Sequence, residues 1–139
     1  MGAISRNAIG LIAGIIGGSV VNIALVNLGP IVVPLPEGAD VSTMEGLRES
    51  MPLFTPANFV FPFLGHALGT LVGAFLAAKI AVSHQMKFAV GVGVLFLVGG
   101  IMMVLQIGGP IGFTVLDLGL AYIPMGILGG KLANRKKSD

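Results

Sequence analysis

Four apolar runs occupy most of this chain, and a helix of about 20 such residues, rising 1.5 Å each, crosses the hydrocarbon core of a bilayer. They lie at residues 8–28, 59–81, 88–105 and 111–132. Only 10% of the 139 residues are charged. An ordinary soluble domain carries about a quarter, so too few polar side chains remain to coat four such helices in water. The expected fold is all-α, a four-helix transmembrane bundle built of two helical hairpins and forming a single transmembrane domain. The first run follows Arg6 in the manner of a signal peptide. Leu28-Gly29-Pro30 stands where a small-residue cleavage site belongs, so the run reads as a retained span.

Charge sets the expected orientation. Arg6, Lys79, Lys87, Lys131, Arg135, Lys136 and Lys137 all fall at one end of the spans, whereas loop 29–58 carries Glu37, Asp40, Glu45 and Glu49 against Arg48 alone. The excess of Lys and Arg on the cytoplasmic side of membrane proteins puts both termini inside and loop 29–58 outside. Short loops and the absence of Cys suit a bacterial inner membrane. That absence also removes disulfides, thiolate metal sites, Cys nucleophiles and iron–sulfur clusters. The basic residues flank spans and form no patch interleaved with aromatics, so membrane lipid is the expected partner and nucleic acid is not.

Within the outer loop, Ser42-x-x-Glu45 reads as a capping box that opens a short helix to about Ser50. Met44, Leu47 and Met51 share one face, which predicts an amphipathic segment lying over the outer ends of the spans. A weak internal repeat relates the halves: LVNLGPI at 25–31 matches LQIGGPI at 105–111, and LAAKIA at 76–81 matches LGGKLA at 128–133. Two hairpins of the same topology imply a pseudo-two-fold axis along the membrane normal.

Most of the 22 glycines sit inside the apolar runs. Gly10, Gly14 and Gly18 recur at steps of four on the first span, in line with Asn22, and Gly65, Gly69 and Gly73 do so on the second. Small residues so spaced let backbones approach closely, within the chain or across an oligomer interface. Because four helices bury little surface in one another, a homo-oligomer or a larger membrane complex is expected.

Polar groups inside the spans are the functional lead. Counted from the outer turns, Asn22, His66 and Asp117 each lie about 10 to 12 Å deep. A carboxylate facing lipid costs about 2.5 to 3.5 kcal/mol near the bilayer centre, so Asp117 should turn inward to a partner, and His66 is the natural one. On one reading His66 and Asp117, helped by Asn22, Thr70, Thr114 or Tyr122, bind a small polar ligand or ion or relay a proton, as in a transporter or channel subunit. On a second reading they are interhelical hydrogen bonds that fix register in an accessory or scaffold subunit. An intramembrane enzyme is the remaining reading, but no nucleophile–base motif, HExxH or phosphate loop supports one, so no catalytic residue, metal or cofactor is expected. Ser19 and Thr70 read as hydroxyls bonded to their own helix backbone. The layout of two short hairpins, an acidic outer loop and a basic tail resembles small uncharacterised four-span proteins of bacterial membranes, and that resemblance implies no activity.

Overall fold

The computed structural model describes residues 1–134, which form helices and turns only. In chain order the α-helices are α1 (Ala3–Val32), α2 (Met44–Ser50), α3 (Val60–Ile80), α4 (Gln85–Ile107), α5 (Ile111–Leu120) and α6 (Ile123–Ala133), with single 3-10 turns at Met51–Leu53 and Pro56–Phe59. Four helical stretches are long and apolar enough to cross a membrane: Ala3–Val32, Pro56–Ile80, Gln85–Ile107 and Ile111–Ala133. The fold is the expected four-helix bundle of two hairpins. Arg135, Lys136 and Lys137, part of the basic tail, lie outside the described residues.

The helix ends depart from the sequence reading in three places. First, α1 does not stop at Gly29-Pro30 but runs through Pro30 to Val32. A proline this close to a helix end forfeits one backbone bond, and its fixed φ is already helical. Second, the fourth span is not one helix. Pro124 has no N–H for the Leu120 carbonyl and its ring crowds that turn, so the helix breaks at Ala121 and Tyr122, where Tyr122 takes φ −115° and ψ −77°. Third, the outer helix is capped by Thr43, whose hydroxyl oxygen accepts from Gly46 N at 3.0 Å, and not by Ser42.

Ser42 instead serves a turn with Asp40, donating to the carboxylate through its backbone N–H (2.9 Å) and its hydroxyl (2.6 Å). These bonds hold the exposed Asp40 carboxyl below its ordinary value of 3.8. A depressed folded-state value means the turn gains stability above the unfolded pKa and loses it as pH falls through the folded one. The Asp40 carboxyl is therefore expected to titrate by NMR below an unfolded-peptide reference, and Ser42→Ala to move it back toward that reference. Coincident titration of wild type and variant would remove the bond from the account.

Helix α3 is the centre of the bundle and packs against α1, α4 and α6, with its largest contact on α1. The α1–α3 register is antiparallel and close. A Cβ on Gly14 would lie 2.5 Å from the Gly73 carbonyl oxygen, one on Gly18 2.6 Å from that of Gly69, and one on Gly10 2.9 Å from that of Ala77. From the other side, a Cβ on Gly65 would meet Asn22 Oδ1 at 2.8 Å, and Gly69 and Gly73 lie equally close to the carbonyls of Gly18 and Gly14. The two faces are therefore occupied by each other and are not free to dock another chain. Helix α6 is seated likewise, with Gly129 on the Leu71 carbonyl of α3 and Gly126 on Gly93 of α4.

Both ends of the first hairpin are tied by side chains. At the end that holds the N-terminus, Asn7 Oδ1 accepts from Val82 N at 2.9 Å and its Nδ2 donates to Ser83 Oγ at 2.7 Å. At the opposite end, Asn58 Oδ1 accepts the backbone N–H and the hydroxyl of Thr55, both at 2.9 Å, while Nδ2 donates to the Pro34 carbonyl at 3.2 Å. Phe59 packs between Phe54 and Phe113 with tilted rings, centroids at 5.7 and 4.6 Å, so the loop, the 3-10 turn that leads into α3, and α5 share one aromatic cluster. This arrangement fixes the level at which α3 and α5 present their polar residues.

Candidate functional site

His66 comes one residue after Gly65, on the flank of the α3 face that packs on α1, and so points toward α5 instead of into the α1 contact. Asp117 of α5 meets it. The His66 Nδ1 lies 2.8 Å from Asp117 Oδ1 and 3.0 Å from Oδ2. The Tyr122 hydroxyl donates to Oδ2 at 3.2 Å. A carboxylate offers only acceptors, so the Nδ1 proton belongs on the ring and points at Asp117. Asp117 is 3% exposed, which satisfies the demand that a carboxyl at this depth turn away from lipid and find donors.

Tyr122 reaches the carboxylate because the helix breaks. In a straight helix, residues five apart point about 140° away from each other. The Pro124 break lets the buried phenol fold back beside Asp117 and stack on the imidazole, with centroids 5.7 Å apart and planes inclined by 27°. Gly100 of α4 supplies the seat, since a Cβ there would lie 2.5 Å from the Tyr122 hydroxyl. The sequence reading missed Gly100 and Asn58. A weak signal existed for the second, because Thr55-Pro56-Ala57-Asn58 has the spacing of a capping box.

The six expected residues do not form one cluster. His66, Asp117 and Tyr122 come together. Thr70 is fully buried and its hydroxyl donates to the His66 carbonyl at 2.7 Å, holding the backbone that carries the imidazole. Thr114 lines the cavity above the carboxylate without a side-chain hydrogen bond to it. Asn22 stands on the α1 side against Gly65 and Gly69, and its shielded Oδ1 has no partner among the described residues. Ser19 differs from its reading as well. Unlike Thr70, it forms no bond to its own helix among the described residues.

A cavity of about 290 Å³ leads from the end of the bundle that carries α2 down to His66 and Asp117, roofed by Leu35, Leu47, Met51 and Phe54. Leu47 and Met51 thus lie over the ends of the spans, while Met44 remains exposed. The His66 side chain is 25% exposed, against 4% for Asp117. Its Nδ1 is engaged with the carboxylate, and Nε2 is not among the shielded atoms that lack a partner. His66 lines this cavity and also a second space between α1 and α4. Such a pair can hold a proton or hydrogen-bond a small polar molecule. Two potential ligands are too few for a metal centre, and no group of three or more His, Asp or Glu side chains gathers among the described residues. Comparison of the chain with protein-family models, with curated proteins and with solved structures finds no match.

Proposed function

We propose that this protein is a small transporter or channel subunit in which the His66–Asp117 pair handles a proton or a small polar solute arriving through the roofed cavity. One observation supports the reading above the others: an imidazole a quarter exposed stands between a buried carboxylate and a cavity leading to the outer end of the bundle. Intramembrane carboxylate–histidine pairs placed on such a path are suited to proton relay. The distribution of Lys and Arg orients the chain with both termini in the cytoplasm of a bacterial inner membrane and the cavity mouth outside.

The test is flux. Protein reconstituted in liposomes with a trapped pH dye is expected to carry protons, and His66→Ala to lower the rate by about a hundredfold or more. Insertion and oligomeric size should not change. Equal flux in wild type and variant would remove the reading.

A second reading has its own support. Each carboxylate oxygen of Asp117 accepts from a donor of its own chain, as in a purely structural register pin. On that reading the protein is an accessory or scaffold subunit, in a homo-oligomer or a larger complex. Gly14 and Gly69 are engaged inside the chain, so docking would use glycines with open space around them, such as Gly91, Gly112 and Gly119.

A further inference from the structure

We propose that α5, the half of the fourth span that carries Asp117, is a hinged gate: it swings on the break at Ala121 and Tyr122, is latched by the Asp117–His66 bond, and on release joins the roofed cavity to the bilayer. Its role as a gate rests on the transport reading, whereas the hinge and the latch do not.

The two halves of the span are held differently. Helix α6 packs broadly on α3 and α4, with Gly126, Gly129 and Gly130 buried. Helix α5 touches its neighbours at a few points only. Ile111, Val115, Leu116 and Leu120 are exposed, and the one buried residue of α5 is Asp117. The joint between the halves, by contrast, is seated. Ala121 and Tyr122 are buried, and a Cβ on Gly93 of α4 would lie 3.0 Å from the Tyr122 carbonyl oxygen, one on Gly100 2.5 Å from its hydroxyl. A sparsely packed arm thus extends from a fixed joint, which Pro124 has already relieved of a helical hydrogen bond. Lipid tails are as apolar as the exposed side chains of the arm, so no hydrophobic force presses it onto the bundle. Two contacts tie it to another element: Asp117 to His66 Nδ1 at 2.8 Å, and Phe113 to Phe59 with centroids 4.6 Å apart. The bond from Tyr122 to Asp117 runs from the joint itself and leaves the arm free to pivot.

What the arm would open follows from what it separates. Phe113 lines the roofed cavity, and it also lines a second space, walled by apolar side chains, between α3 and α5. Phe54 and Phe59 line both as well, so these three rings stand between the two spaces. Val60 and Leu116, which line the second space alone, are exposed on the membrane-crossing surface. A swing of α5 away from α3 carries Phe113 out of the partition, and the cavity then meets the bilayer. The bond that sets the proton-handling pair is therefore also the bond that keeps its cavity closed at the side.

The chain has no Cys, so nitroxide labels attach only where a cysteine is placed. In phosphatidylcholine nanodiscs, the distance between labels on Gly112→Cys, at the tip of α5, and Gly99→Cys on α4 reads the arm. Labels on Gly91→Cys of α4 and Leu128→Cys of α6 form the control pair. A Cβ at each of these glycines meets nothing within 4 Å, and Leu128 is exposed, so the labels fit without displacing a helix. The ten residues of α5 make an arm of about 15 Å, and a swing of about 20° moves its tip by about 5 Å. Asp117→Ala should add a population shifted by about that much, and so should His66→Ala, which opens the same latch from α3, with the control pair unmoved. In liposomes, a bis-methanethiosulfonate joining Phe59→Cys to Phe113→Cys should hold the arm shut and lower flux about tenfold or more, until a reductant releases it. Unmoved distances in both latch variants, a control pair that shifts with the arm, or full flux through the tethered chain would overturn the proposal. An arm that swings in a protein without His66-dependent flux removes the transport reading alone.

Discussion

Gly14→Leu is expected to separate the first membrane helix from the second. Even a Cβ at this position lies 2.5 Å from the Gly73 carbonyl oxygen and 2.8 Å from the Ala77 Cβ. Both are backbone or first side-chain atoms, which no rotamer change can move aside. The helices must part by more than a methyl radius, and contacts along the whole α1–α3 face, the largest in the bundle, weaken together. Overpacking of a close interface costs about 1 to 3 kcal/mol, and a Leu forced against backbone belongs at or above the top of that range. Unfolding in mixed micelles, followed by titration with a denaturing detergent, reads the effect. Gly91→Leu is the control, because a side chain there enters open space and stability should be preserved. Equal stability of the two variants would show that α1 and α3 do not meet along these glycines.

The second large effect belongs to the carboxylate. Asp117→Ala strands the His66 Nδ1–H and the Tyr122 hydroxyl, both of which donate to Asp117 at 2.8 to 3.2 Å. A buried donor left without an acceptor costs about 1 to 3 kcal/mol, and membrane helices fall toward the lower end because the unfolded chain in lipid also finds partners. The variant is therefore expected to lose about 2 to 4 kcal/mol in the same assay. Asp117→Asn keeps one acceptor and should lose less. Tyr122→Phe, which forfeits only the 3.2 Å bond, should lose about 0.6 kcal/mol. A double-mutant cycle between His66→Ala and Asp117→Ala should show coupling, since each change removes the same contact. Additive losses would mean that the pair does not interact in the membrane.

Several features of this site could be read without coordinates. Four apolar runs in a chain with little charge leave helical membrane spans as the one way to satisfy the backbone. A carboxyl within one of them must seek donors at its own depth, and helical rise alone placed His66 at that depth. Other features could not be read. The contact of Tyr122 with Asp117 depends on a helix break, and whether Pro124 breaks or merely bends a span is settled by its neighbours, here the seat at Gly100. Thr70 and Asn22 were both expected to help the pair, yet one turns to its own backbone and the other to the α1–α3 contact. Depth along a helix follows from counting residues, whereas direction around it does not once the helix is broken or its neighbours are unknown.

The sequence by itself determined the solvent, the number of crossings and the pairing of a histidine with an aspartate, because each follows from the cost of placing polar groups in hydrocarbon and from a fixed rise per residue. Tertiary structure alone decided that the glycine faces of α1 and α3 are spent on each other, that a tyrosine folds back to complete the carboxylate's donors, and that the imidazole borders two open spaces. These depend on how close two backbones come and on where a helix yields, and both arise from contacts between residues far apart in the chain.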